Sequence, residues 1–206
     1  MTREDGKAPI ILASASTARN RMLKAAGIET TIQPADIDEE AVRNALSTPG
    51  DTMPPADIAL VLAEAKASEI ARLNPQSLVI GADQVLALES EIFSKPDSIA
   101  DAHRQLKLLR GRTHELHSAV CCVRGEDTLW RYTDSASLTV RDFSDAFLQE
   151  YLNIEGAEVC SSVGAYQLEG RGAQLFSKIA GDYFTILGMP LLPLLNFLRE
   201  EGSLNS

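Results

Sequence analysis

Leu78-Val-Ile80-Gly81-Ala82-Asp83-Gln84-Val85-Leu86-Ala87-Leu88 is the stretch on which the fold turns. Leu78 to Ile80 is the continuous apolar run of a strand covered on both faces, and Val85, Leu86 and Leu88 resume that pattern before an expected turn at Glu89 to Glu91. Between them sits Gly81-Ala-Asp83-Gln84, which puts an acid at or near a strand and beside a glycine. An unpaired charge inside an apolar run is costly, so Asp83 is expected to be paired, bound to a metal or open to a pocket.

Upstream, Pro9 to Ala13 reads as a buried strand, and Ser14-Ala-Ser16-Thr17 supplies hydroxyls where a helix begins. That helix is expected to carry Met22, Leu23 and Ala26 on one face and to stop at Gly27. Thr30 to Gln33 reads as a short strand that runs into the acidic stretch Asp36-Ile-Asp-Glu-Glu40. A Pro-rich loop, Thr48 to Pro55, then leads to a long helix, Ala56 to Leu73, in which Ile58, Leu62, Ala65 and Ile70 recur near helical period.

Downstream, Pro96-Asp97-Ser98 opens a helix that runs to Leu109 before Gly111, with Asp101 as half of a capping box. Thr113 to Val123 and Thr128 to Val140, joined by Arg-Gly-Glu-Asp, read as a hairpin. A helix from Ser144 to about Asn153, a Gly-rich segment from Gly164 to Gly172, a strand around Leu175 to Ile179 and a helix from Pro190 complete the order. Strands and helices alternate early and a hairpin follows, so the class is α/β, a mixed sheet flanked by helices.

Composition sets the limits. A chain of 206 residues with 45% apolar and 23% charged residues suits one soluble domain, 1–206, or one domain with a cleft between two lobes. Its charge of 19 − 29 = −10 offers no global field for nucleic acid or an anionic membrane, so an anionic ligand needs a local basic site. Cys121, Cys122 and Cys160 form neither a disulfide framework nor paired zinc spacing, which fits a reducing compartment. Met1 to Lys7 is polar and no signal-type apolar stretch follows it. The longest apolar run, Phe184 to Leu198, is broken by Gly188, Pro190 and Pro193 and reads as core. A cytoplasmic protein without a membrane span is expected.

Three groups of residues suggest chemistry. Ser14, Ser16 and Arg19 surround a helix start, where free backbone N–H groups, hydroxyls and a guanidinium suit phosphate, although serine and threonine cap most helices. Neither a Walker loop nor a dinucleotide fingerprint is present. Glu39 and Asp83 are each read as following a strand and loop rather than lying on a charged helix face; such carboxylates suit a hard divalent cation or a polarised water, whereas acidic runs are usually solvated. Lys66, Lys95, Arg171 and Lys178 join Arg19 as the cations a polyphosphate site must gather, though lone lysines are mostly surface residues. His114 and His117 point to opposite strand faces, so no zinc site is expected, and Cys121 and Cys122 read as small core residues.

Taken in order, Leu12-Ala-Ser-Ala-Ser-Thr-Ala-Arg19, Asp36-Ile-Asp-Glu39, Lys66, Gly81-Ala-Asp83-Gln84, Ser94-Lys95-Pro96, Gly111-Arg-Thr-His114, Gly164-Ala-Tyr-Gln-Leu-Glu-Gly170 and Gly188-Met-Pro-Leu191 resemble the Maf family of nucleoside triphosphate pyrophosphatases. The resemblance runs from about Ile10 to Leu198 and implies an inosine triphosphatase-like fold. It also implies a homodimer and hydrolysis of nucleoside triphosphates to monophosphate and pyrophosphate with Mg²⁺, Mn²⁺ or Co²⁺. By position it makes Asp83 the general base, Glu39 and Asp83 the metal carboxylates, Ser14, Ser16 and Arg19 the phosphate loop, and Lys66 and Lys95 phosphate contacts. Ala18, Gln84 and Glu169 stand at specificity positions. Ala18 matches neither branch, Gln84 and Glu169 resemble the methylated-guanosine branch, and Gly164-Ala-Tyr166 and Gly181-Asp-Tyr183 the thymidine and uridine branch. A non-catalytic nucleotide-binding regulator of cell division, and a phosphate-binding enzyme of unrelated chemistry, are the competing readings.

Overall fold

The structure, a computed structural model, describes residues 8–48 and 51–205. Met1 to Lys7, and Pro49-Gly50 of the Pro-rich loop, lie outside the described residues. In chain order the elements are β1 (Ile10–Leu12), α1 (Thr17–Ala25), β2 (Thr31–Ile32), α2 (Glu39–Leu46), β3 (Ser47–Thr48), β4 (Asp51–Thr52), α3 (Pro55–Leu73), β5 (Leu78–Leu88) and β6 (Glu91–Phe93). They continue with α4 (Ile99–Leu109), β7 (Thr113–Arg124), β8 (Asp127–Val140), α5 (Asp145–Glu155), three short 3₁₀ turns between Gly156 and Leu175, β9 (Phe176–Ala180), α6 (Tyr183–Ile186) and α7 (Leu191–Glu200).

Seven strands form one sheet in the order β2-β1-β5-β7-β8-β9, with β6 on β5. β1 pairs in parallel with β2 and β5, whereas β5–β6 and β8–β9 are antiparallel, so the sheet is mixed as expected. The chain divides into two compact units. The first takes the segments up to Gln84, Ser118–Asp134 and from Gly188 onward; the second takes Val85–His117 and Ser135–Leu187.

In the first unit, α3 begins with Pro55 in its first turn and Asp57 close behind, a residue order that suits a helix N-terminus. Ile58, Leu62 and Ile70 are buried along one stripe, each contributing roughly 1.5–3 kcal/mol of apolar burial. Ala65, expected on that stripe, is only half-buried; Lys66 and Ala67 take the buried positions instead. Ala26 is exposed, because α1 ends at Ala25 and Ile28 turns back into the core in its place.

Two corrections bear on the site. β5 is one unbroken strand, so Asp83 lies in its middle and not at a strand end. Glu39 opens α2, a helix that the acidic stretch concealed: Asp38 Oδ1 accepts from Ala41 N at 2.9 Å, and Glu39 pairs with Arg43 one turn on. β3 pairs with β4 within the segment read as a Pro-rich loop.

The second unit has its own core, including Leu86, Phe93, Leu106, Leu116, Leu138, Phe143, Leu148 and Tyr151. Ser98 caps α4 and Ser144 caps α5, each accepting from the N–H three residues on. Gly164 adopts φ 78°, and a Cβ there would stand 2.6 Å from the Tyr166 ring and 2.7 Å from Leu86. That fit lets Tyr166 pack edge-on against Phe176 while its hydroxyl meets His114 Nε2 at 2.7 Å. Among the described residues no helix is long and apolar enough to cross a membrane.

Candidate active site

The first unit brings together Ser14, Ser16, Arg19, Glu39, Lys66, Asp83 and Gln84. The architecture begins with strand alternation: Gly81 and Asp83, two residues apart on β5, share a face. A Cβ on Gly81 would lie 2.1 Å from Ala63 O and 2.8 Å from Ala67 Cβ, so only glycine lets α3 approach this closely. Lys66, between those two alanines, thereby reaches Asp83.

The resulting charges form a chain. Lys66 Nζ lies 2.6 Å from Asp83 Oδ1 and 2.7 Å from Glu39 Oε1, and Arg43 Nη2 lies 3.1 Å from Glu39 Oε2. Lys66 and Asp83 are buried, Glu39 half-buried. Asp83 Oδ2 is buried with no hydrogen-bond partner among the described residues. A buried carboxylate oxygen that meets no protein donor is a place where a water, a cation or a ligand proton can bind.

Ser14 follows β1, whose register is carried on by Ala13 N donating to Ile80 O at 2.8 Å. Ser16 caps α1 and accepts from Arg19 N. Ser14 Oγ accepts from Ser16 N at 3.3 Å and from Arg19 Nη1 at 3.0 Å. Each serine oxygen is thus occupied by a protein donor, and its own O–H is what it has to give.

Arg19 is buried and ties three segments together, through Nη1 to Ala82 O at 2.8 Å and Nε to Gly188 O at 2.8 Å besides Ser14. Three of its five N–H donors are committed to the protein, which leaves the Nη2 pair. Burial lowers its pKa from the usual value, against the opposing pull of Asp83 and Glu39. Gln84 Nε2 donates to Ser118 Oγ at 3.0 Å, a contact with no local trace, since Ser118 lies 34 residues on in the neighbouring strand β7. Ala18 is half-buried in α1.

Lys95, Glu169, Arg171 and Lys178 belong to the second unit, where their side chains are exposed. His114 is buried against Tyr166, and burial brings its pKa from 6.5 down to about 4; Cys121 and Cys122 are fully buried core thiols, the first pushed up to about 12. Among the described residues no group of three or more His, Cys, Asp and Glu side chains is placed to hold a metal. The carboxylates of Glu39 and Asp83, which converge on Lys66, are the oxygen ligands that a hard cation takes.

Fold and site define a mixed α/β protein in which a loop lined by hydroxyls and a guanidinium stands in the same unit as a buried acid. A family model described as Maf-like protein matches residues 9–201, and the chain belongs to that family. A nucleoside triphosphate pyrophosphatase of Paramagnetospirillum magneticum is 50% identical, over 94% of this chain and 99% of its own length. A 7-methyl-GTP pyrophosphatase of Brucella abortus is 51% identical, over 93% and 96% respectively. Among solved structures, the Staphylococcus aureus Ham1 protein is similar over 65% of this chain and 72% of its own, at 16% identity and a TM-score of 0.40.

Proposed function

We propose that this chain, acting as a single Maf-like domain, is a nucleoside triphosphate pyrophosphatase that releases nucleoside monophosphate and pyrophosphate. The observation that carries this reading is the bare, buried Oδ2 of Asp83, in the same compact unit as the Ser14–Arg19 loop. Relatives of near-full-length coverage that carry the pyrophosphatase name support it.

The Ser14 and Ser16 hydroxyls, the first N–H groups of α1 and the Arg19 Nη2 edge bind the phosphate chain. Lys66 offsets its charge. Asp83 Oδ2 accepts a proton from a water, whose oxygen forms the new bond to the α-phosphorus as the bond from that phosphorus to the α,β-bridging oxygen breaks. Pyrophosphate leaves with the bridging oxygen. Glu39 and Asp83 would hold a divalent cation, Mg²⁺, Mn²⁺ or Co²⁺, which when bound neutralises phosphate charge.

For the base, methylated guanine is the favoured substrate. The Brucella abortus relative is named for 7-methyl-GTP. Tyr166, a marker for the thymidine and uridine branch, has its hydroxyl committed to His114. The test is a panel of standard and methylated nucleoside triphosphates scored by kcat/KM for pyrophosphate release, in which 7-methyl-GTP ranks first. Nucleotide binding without any pyrophosphate release would instead leave a binding protein.

A further inference from the structure

We propose that Lys66 stands in for the divalent cation in the resting protein, so that metal is admitted together with the triphosphate and not ahead of it. This rests on the reading of Glu39 and Asp83 as the cation's ligands. Of the four oxygens those two carboxylates offer, three already face a protein cation: Glu39 Oε1 and Asp83 Oδ1 face Lys66, and Glu39 Oε2 faces Arg43. Asp83 Oδ2 meets no partner among the described residues.

A hard divalent ion binds carboxylate oxygen at about 2.0–2.6 Å. On Glu39 and Asp83 it would have to crowd an ammonium that sits 2.7 and 2.6 Å from the same groups. The Lys66 side chain is only 9% exposed, so water does little to screen that repulsion. An ammonium has three donors and no acceptor, and what draws it off a carboxylate is another anion. The triphosphate is such an anion. Its arrival gives Lys66 phosphate oxygens to bond and frees Glu39 Oε1 and Asp83 Oδ1 for the metal. Linkage makes this reciprocal: nucleotide tightens metal binding by the factor with which metal tightens nucleotide binding.

The test is a Mn²⁺ titration of the full chain followed by electron paramagnetic resonance, without nucleotide and with an α,β-methylene nucleoside triphosphate. Wild type, Lys66→Met, Lys66→Gln and Asp83→Asn are compared. Without nucleotide, the two Lys66 variants are expected to bind Mn²⁺ about tenfold or more tightly than wild type, and the tightening caused by the analogue shrinks. Mn²⁺ affinity equal to or weaker than wild type, in either variant that retains the native circular dichroism spectrum, overturns the proposal. Should neither fold, ¹⁵N spectra of the wild-type lysine ammonium groups decide: the Lys66 signal is expected to move with Mg²⁺ plus analogue and to stay put with Mg²⁺ alone, and movement with Mg²⁺ alone overturns the proposal. The underlying reading fails separately: if Asp83→Asn holds Mn²⁺ as wild type does in the presence of the analogue, Asp83 is not a ligand and both ideas fall.

Discussion

Lys66 and Asp83 meet at 2.6 Å between α3 and β5, at a distance that the missing side chain of Gly81 permits. A buried pair of this kind adds little net stability, because desolvation of both ions offsets their attraction, yet removing one partner typically costs about 3–5 kcal/mol. Its value lies in what it leaves over. Lys66 engages one oxygen of Asp83 and leaves the other bare.

Asp83→Asn removes the proton acceptor and retains an amide oxygen that can still accept from Lys66. Turnover is expected to fall by about 10²–10⁴-fold, the usual worth of a general base, while the fold survives. Steady-state kinetics beside a thermal melt check this; a variant with undiminished kcat would remove Asp83 from the chemistry.

Gly81→Ala would drive a methyl group onto the Ala63 carbonyl, where the available distance is 2.1 Å. Backbone cannot yield as a flexible side chain does, so α3 must shift from β5. The expected cost is about 3 kcal/mol or more, at the upper end of overpacking effects, with activity reduced as Lys66 moves away from Asp83. Urea unfolding measures the first effect, and pyrophosphate release the second. A stability within error of wild type would mean the close approach is not real.

His114 governs part of the pH dependence of stability. Burial lowers its pKa from 6.5 to about 4, so between those values the unfolded chain binds more protons than the native one. Its contribution is complete above pH 6.5, declines as the pH falls, and amounts to about 3 kcal/mol lost by pH 4. His114→Gln keeps a side chain able to bond the Tyr166 hydroxyl but does not titrate, and is expected to flatten the urea midpoint across this range. A smaller slope remains from His117, whose pKa burial also lowers against the opposing pull of Glu115. An unchanged pH profile in the variant would contradict the assignment.

Local chemistry was legible in the sequence. Ser16, Ser98 and Ser144 sit at helix starts because a hydroxyl there satisfies an orphan N–H, a rule that needs no tertiary information. Asp83 stood out because a carboxylate in an apolar run must find a partner. What the sequence concealed depends on packing. Sequence alone reads Lys66 as a phosphate contact, and its partner Asp83, 17 residues on, is fixed only by the α3–β5 approach. A signal was present: Leu62, Lys66 and Ile70 recur every four residues, which puts the lysine on the buried stripe. Glu39 reads as following a strand and loop because it lies in an acidic run, whereas the apolar side of α2, Ala41, Val42, Ala45 and Leu46, begins only after it. The His114–Tyr166 bond joins residues 52 apart and has no local trace.

In the proposed mechanism, water activated at Asp83 attacks the α-phosphorus. Hydrolysis in H₂¹⁸O followed by mass spectrometry of both products tests it most directly. Attack at the α-phosphorus puts ¹⁸O in the nucleoside monophosphate and none in the pyrophosphate. Label in the pyrophosphate, or orthophosphate as the first product released, would contradict it.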